Sequence, residues 1–267
     1  MPMDARVAVL LAVLQGITEW LPVSSSAHLV IAQHAFGVEN PVLFDTVVHL
    51  GTVTSVIVMT RRRLAAIASQ TLAVLTRRRP LARSPEARLA LHVLFATVPI
   101  VIVGLALEGL IVGSFESLPV VAAALPLTGL VLLTTAHRGG RRRRTTPRSA
   151  VVIGLFQACA LIPGISRSGM SISAGLHSGL TRRDAAEFSF LLAIPAILGA
   201  GALQFMRASS GDVTVEPLPL LLGYTVSAVV GYVFLRVLLR IVVRDGLHRF
   251  ANYCFGLAAA VWLVLLL

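Results

Sequence analysis

The 267-residue sequence contains no lysine; all 23 of its basic residues are arginine. It also has few acids (12), few aromatics (6%) and only two cysteines. Each shortage excludes something. Cys159 and Cys254 both sit in apolar runs, so they form neither a disulfide framework nor a zinc site and read as small core residues. The aromatics are not interleaved with the arginines, so the stacking platform of a nucleic-acid binder is missing. The net charge of +11 therefore does not point to nucleic acid. No cleavable signal is expected at the N-terminus, because Met1–Arg6 leads into an apolar run that polar residues soon interrupt. Only 13% of residues are charged against 56% hydrophobic, and mean hydropathy is +0.86. A soluble domain of this size does not need so much apolar residue. The sequence reads as one all-α integral membrane domain over residues 1–267.

The arginines fix the layout. Twenty of them fall in 61–88, 138–148, 182–183 and 236–249, flanking apolar runs, which is the positive-inside pattern of cytoplasmic loops. Apolar stretches near the ~20 residues needed to cross a bilayer lie at about 42–60, 89–110, 118–136, 184–206, 217–240 and 250–267. Residues 64–88 read as a partly surface-lying cytoplasmic segment. The connections 111–117, with Glu116, and 207–216, with Asp212 and Glu216, read as loops. Residues 7–36 and 150–178 are different. Each is a short apolar run, a polar break and a second short run, the pattern of a re-entrant helix pair. Six crossings and two re-entrant pairs keep every basic loop inside only if the first pair enters from outside and the second from the cytoplasm. Both termini are then outside, an arrangement that Arg6 opposes weakly. Gln15 leads to Pro22 and a Ser-rich break; Gln157 leads to Pro163 and another. The expected architecture is an inverted repeat of halves about 1–136 and 150–267, joined by the basic cytoplasmic loop 137–148. In such folds substrate sites form between broken helices near the midplane.

The chemistry concentrates in the two breaks. Gln15-Gly16-Ile17-Thr18-Glu19-Trp20-Leu21-Pro22-Val23-Ser24-Ser25-Ser26-Ala27-His28 puts an acid, four hydroxyls and an imidazole into fourteen residues. A lone carboxylate at membrane depth costs about 2.5–3.5 kcal/mol. Glu19 is therefore a candidate metal ligand or general base rather than a solvated loop acid. Gln15, four residues earlier, shares its face if the segment is helical. An amide oxygen and a carboxylate with open water positions suit Mg²⁺ or Ca²⁺, which also take phosphate oxygens. One of Ser24, Ser25 and Ser26 can cap the helix that follows; a Ser beside His28 and Glu19 is also the arrangement for nucleophilic transfer. In the second break, Pro163-Gly164-Ile165-Ser166-Arg167-Ser168-Gly169 offers glycines that let backbone approach an anion, a helix start, and a guanidinium for bidentate phosphate binding. Asp45 and His49, four apart in a span, either support this site or pair with each other. Arg182, Arg183 and Asp184 mark a helix start, and Glu187 either meets the second break or pairs with Arg183. The groups sum to a phosphate-ester or diphosphate site reachable from lipid, with the recurring parts of phosphoryl transfer.

These two segments resemble the signature segments of the undecaprenyl-diphosphatase family, the bacitracin-resistance proteins of bacteria. The likeness extends to Phe44-Asp45, His49-Leu50-Gly51-Thr52, Ala96-Thr97-Val98-Pro99 and Glu187-Phe188-Ser189-Phe190-Leu191-Leu192. It implies hydrolysis of undecaprenyl diphosphate in the bilayer to the monophosphate and phosphate, recycling the lipid carrier for peptidoglycan and other envelope polymers. It also implies a multi-pass protein of the bacterial plasma (inner) membrane, an exterior- or periplasm-facing site and a divalent cation. By the resemblance Glu19 serves the metal and diphosphate, with Gln15 at a position that takes Glu or Gln. Ser25 is the expected nucleophile and His28 its base or leaving-group acid. Ser24, Ser26, Ser166, Arg167 and Ser168 bind the diphosphate. Ala27 stands where the family commonly has Gly, which puts close backbone approach there in question. A homodimer is compatible with the sequence. The competing class is a polyprenyl-phosphate transporter or flippase using the same anion site, which needs no nucleophile.

The arginine distribution yields a direct test. In a background without Cys159 and Cys254, a cysteine placed in 137–148 should resist impermeant thiol reagents in intact cells, and one at Ser210 should react. The reverse labelling pattern overturns the orientation.

Overall fold

A computed structural model describes residues 4–38, 42–115, 117–208 and 217–267. Glu116, Ser210, Asp212 and Glu216 lie outside the described residues. The described chain is built from eleven α-helices: α1 (Ala5–Thr18), α2 (Ser25–Phe36), α3 (Val42–Leu75), α4 (Pro85–Ala106), α5 (Glu108–Ser114), α6 (Leu118–Leu133), α7 (Pro147–Cys159), α8 (Arg167–His177), α9 (Arg182–Ala208), α10 (Pro217–Val243) and α11 (Phe250–Leu266). Local chemistry sets many of the ends. Asp4 caps α1 by accepting from the Arg6 N–H, and Gly37 ends α2 in the left-handed region with φ 62°. Thr146 and Ser149 form a reciprocal capping box on α7 with Pro147 at the first helical position.

Five of these helices are long and apolar enough to cross a membrane, or six if α5 and α6, whose axes differ by 98°, are counted together as one broken span. The chain is a multi-pass, all-α membrane protein, as its composition indicates. Its outer surface carries large apolar side chains such as Leu94, Ile102 and Leu105 on α4, Leu221 and Val229 on α10, and Leu263 and Leu266 on α11. In water these would be an aggregation surface; in lipid they cost nothing. The two short pairs, α1/α2 and α7/α8, sit inside this frame. α10 packs along both α1 and α3, α4 packs along α7, and α11 along α6.

Three details differ from the sequence reading. Residues 64–75 are not a separate surface segment, because α3 runs unbroken for 34 residues through Arg61, Arg62 and Arg63. At 1.5 Å per residue it is about 51 Å long, well beyond the ~30 Å hydrocarbon core, so its last third projects past the membrane. The loop expected at 111–117 is helical through Ser114, following a break at Leu107. Cys159 is exposed, whereas Cys254 is buried as expected.

The basic loop 137–148 is strapped down. The Gly140 N–H donates to the Leu180 carbonyl at 2.8 Å, and the Thr181 N–H to that of Arg142 at 2.9 Å. Asp245 receives Arg182 at 2.9 Å, and Arg182 Nε also donates to the Arg138 carbonyl at 3.0 Å. At the same end, Arg63 bridges Glu86 at 3.3 Å and Glu187 at 2.5 Å. Glu187 also receives Arg183 at 2.7 Å, so it belongs to this ion network and not to the second break.

Close helix contact rests on glycine. A Cβ at Gly154 would overlap the Ala96 backbone of α4, whereas one at Gly256 on α11 meets nothing within 4 Å. Overpacking typically costs about 1–3 kcal/mol, so Gly154→Leu should lower the melting temperature in detergent by about 3–8 °C. Gly256→Leu should leave it within about 1 °C. Thermal unfolding of the two variants checks this; equal behaviour contradicts the close α4–α7 contact.

Candidate active site

Both breaks interrupt a helix that could not continue. Pro22 and Pro163 lie inside them, and the chain restarts only where a serine can cap the next helix. Ser24 caps α2 by accepting from the Ala27 N–H at 3.3 Å; Ser166 caps α8 by accepting from the Gly169 N–H at 3.1 Å. The N–H groups of Ser25, Ser26, Arg167 and Ser168, in the first turns of these helices, have no protein acceptor among the described residues. The hydrogen bond from the Gly164 N–H to Ser24 Oγ at 3.1 Å brings the two helix starts near each other, so the positive ends of two peptide dipoles lie in one neighbourhood.

Side chains stitch the breaks together. The Gly164 N–H donates to Ser24 Oγ at 3.1 Å, and Ser168 Oγ donates to the Leu21 carbonyl at 3.2 Å. Gly164 holds φ 105°, and a Cβ there would lie 2.6 Å from that of Ala124 and 2.8 Å from the Val121 carbonyl. That position needs glycine for its backbone angle and for space. Thr128 of α6 fixes the turn, donating to the Gly164 carbonyl at 2.9 Å and accepting from the Ser166 N–H at 3.0 Å.

Glu19 lies at the centre. Its side chain is only 3% exposed, at the end of α1. Oε1 receives Arg167 Nη2 at 2.5 Å across the two breaks. Oε2 receives Ser25 Oγ at 2.6 Å and Gln15 Nε2 at 2.8 Å, and His49 Nε2 stands 3.6 Å away. The Arg167 guanidinium also lies 5.6 Å from the centre of the Trp20 ring, within cation–π range. Gln15, Glu19, Ser25 and Arg167 are thus one hydrogen-bonded unit. Ser24 pairs with Ser26 at 3.1 Å, and Ser166 with Ser168 at 3.2 Å, flanking it.

His28 is placed differently from the arrangement expected of a base for Ser25. Its Nδ1 donates to the Ser24 carbonyl at 2.7 Å, and its Nε2 bonds the Tyr253 hydroxyl at 2.7 Å. Ser25 gives its proton to Glu19 instead. The reason is local: α2 starts at Ser25, so His28 is one turn in, and its ring folds back onto the cap carbonyl. Ala27 does not crowd the turn, because it is buried in the apolar cluster with Val121 and Leu125. Asp45 and His49 do not pair through their side chains. Asp45 Oδ1 receives Gln33 Nε2 at 2.5 Å, while His49 Nδ1 donates to the Asp45 backbone carbonyl at 2.7 Å.

Sequence reasoning passed over Trp20, Tyr253, Thr128 and Gln33. Thr128 carried a signal, since a hydroxyl alone in an apolar span needs a partner. Tyr253 carried none in its own neighbourhood.

The donor set suits a hard divalent cation. Glu19 offers carboxylate oxygens, and Gln15 Oε1 is a buried acceptor without a partner. Among the described residues no three His, Cys, Asp or Glu side chains cluster, so a cation here needs oxygens from its substrate, the usual situation for Mg²⁺.

A family model described as Bacitracin resistance protein BacA matches residues 8–260. The chain is 43% identical to the undecaprenyl-diphosphatase of Rubrobacter xylanophilus, covering 97% of this chain and 98% of that one. It is 41% identical to that of Desulfosudis oleivorans over 98% and 99% of the two chains, and 37% identical to that of Korarchaeum cryptofilum over 97% and 98%.

Ser24 holds a left-handed backbone, φ 66°, while its hydroxyl serves two N–H groups. Ser24→Ala keeps the strain and strands the buried Gly164 donor, so it should cost about 2 kcal/mol. Ser24→Gly relieves the backbone and should cost less. Thermal unfolding that ranks Gly below Ala in stability contradicts this account.

Proposed function

The chain belongs to the bacitracin resistance protein BacA family, and we propose that it hydrolyses undecaprenyl diphosphate to undecaprenyl phosphate and inorganic phosphate. The lipid carrier so recovered returns to peptidoglycan synthesis. The observation that carries this reading is one buried carboxylate, Glu19, holding a hydroxyl nucleophile and a phosphate-binding arginine together. A transporter needs an anion site but no hydroxyl seated on a carboxylate.

The residues divide the work as follows. Arg167 and the free N–H groups of both helix starts bind the diphosphate oxygens. Glu19 takes the proton of Ser25, whose Oγ attacks the terminal phosphorus; the bridging P–O bond breaks and the lipid monophosphate leaves. Water then attacks the phosphoserine, with His28 Nε2 accepting its proton. As the Ser–phosphate bond breaks, Glu19 returns its proton to Ser25, His28 passes its proton to water, and inorganic phosphate departs. His28 suits the water step because its Nδ1 is committed to a carbonyl, leaving Nε2 the basic nitrogen, which takes the water proton once the Tyr253 hydroxyl gives way. A divalent cation, Mg²⁺ or Ca²⁺, held by Glu19 and Gln15, would neutralise the charge on the diphosphate. Ser24, Ser26, Ser166 and Ser168 frame the anion site.

The site faces the exterior. Arg61 marks the inner water line on α3, and His49 lies twelve residues before it, about 18 Å further into the membrane. Val42, where α3 starts, is about 29 Å from Arg61, so the site sits past the midplane. We read the two short pairs as corresponding parts of inverted-repeat halves, about 1–136 and 150–267. Each pair carries a buried glutamine on its first helix and a serine cap on its second.

Phosphate release from C55 diphosphate in detergent, with and without EDTA, tests the reading. EDTA should abolish release and Mg²⁺ or Ca²⁺ restore it; no release from any prenyl diphosphate sinks the enzyme reading. Ser25→Ala and His28→Ala should each lower kcat at least 100-fold, and the double variant should be little worse than the worse single one. Arg167→Lys should also lose activity, because an ammonium cannot reproduce the guanidinium fork. Unchanged kcat with raised KM in both the Ser25 and His28 variants would reduce that pair to substrate binding.

A further inference from the structure

We propose that His49 is a nitrogen ligand of the cation site, and that this ligand turns the site toward a borderline first-row ion such as Co²⁺ over Mg²⁺ or Ca²⁺. The inference rests on the cation reading above and adds a residue to it.

The ring's tautomer is fixed by its surroundings. His49 Nδ1 lies 2.7 Å from the Asp45 backbone carbonyl, an atom that can only accept, so Nδ1 carries the hydrogen. In the neutral ring the lone pair is then on Nε2. A histidine whose remote N–H is tied to a backbone carbonyl is how metal-ligating imidazoles are usually oriented. Here Nε2 faces Glu19 Oε2 at 3.6 Å. That distance is too long for a hydrogen bond, and a charge-assisted imidazolium–carboxylate contact would close to about 2.7–2.9 Å. Oε2 is already served by Ser25 at 2.6 Å and Gln15 at 2.8 Å. A lone pair aimed at a carboxylate from this range is unfavourable unless a cation joins them. Two donors about 2.1 Å from a shared tetrahedral ion lie about 3.4 Å apart, close to the separation found.

A third donor stands beside them. Gln15 Oε1 is buried without a partner, while the Nε2 of the same amide donates to Oε2. Turning that amide over presents its oxygen. Gln15, Glu19 and His49 then offer two oxygens and one imidazole nitrogen, with phosphate oxygens to complete the set. Imidazole is a poor ligand for Mg²⁺ and Ca²⁺ and a good one for later first-row ions. The ring is also held on the long helix α3, and its side chain is 27% exposed.

The test uses the full chain in detergent micelles, loaded with Mn²⁺ as a paramagnetic probe of the ligand set. Electron spin-echo modulation of the bound ion should show imidazole ¹⁴N, and ¹⁵N-histidine labelling of the unsubstituted protein should convert it to ¹⁵N. His49→Gln should remove that modulation and weaken Co²⁺ binding about 10–100-fold, with a smaller loss for Mg²⁺. His28→Gln should keep the modulation. A His49→Gln protein with unchanged modulation and affinity, while Glu19→Gln loses the ion, overturns the His49 assignment and leaves the cation reading intact. An unsubstituted protein that binds no Mn²⁺ overturns both. The labelling experiment needs no substitution, so a poorly folded variant does not remove the test: a spectrum without histidine nitrogen refutes the proposal by itself.

Discussion

The ion pair between Glu19 and Arg167 is the constraint on which the rest of the molecule depends. Each charge alone would be costly at this depth, and removing one partner of such a pair costs about 3–5 kcal/mol because the other is left uncompensated. The two residues come from breaks 148 positions apart. Their pairing therefore fixes α1/α2 against α7/α8, and every other contact in the site is made within the geometry this sets. Trp20 stacks near the guanidinium and meets Phe190 edge-on with ring centres 5.9 Å apart, which ties the pair to the main apolar core.

Broken helices within a membrane expose backbone groups that lipid cannot satisfy. The serines and threonine of this site meet that need first. Ser24, Ser166, Ser168 and Thr128 each bond a backbone group of a break. Ser25 does not; its hydroxyl goes to a carboxylate. A run of three serines thus holds two trades, closing the turn and presenting a reactive oxygen, and only the partner of each hydroxyl tells them apart.

Much of this was legible in the sequence, and the limits have physical causes. Spans, basic loops and the two breaks follow from hydropathy and arginine, because lipid enforces them. That the two breaks share one polar site follows from the cost of isolated polar groups in that setting, but the resemblance put Ser25 with His28, and the structure seats it on Glu19. The continuation of α3 through Arg61–Arg63 was hidden because hydropathy marks where lipid ends and not where a helix ends; arginine is a good helix former. The partner of His28 was hidden because Tyr253 arrives from the last helix, 225 residues away, among apolar neighbours. The role of Glu187 was ambiguous until α3 brought Arg63 to it.

The length of α3 has a consequence for the membrane around it. A rigid rod with three arginines at one water line is a depth gauge: it fixes the height of the site from the leaflet at the arginine end. The headgroups of the opposite leaflet have no such reference. In a thicker bilayer they rise while Glu19 and His49 stay where α3 holds them, so the diphosphate must be drawn further below its own headgroup layer. In a thinner one the site opens among the headgroups. Access to the site is therefore coupled to bilayer thickness through the length of α3.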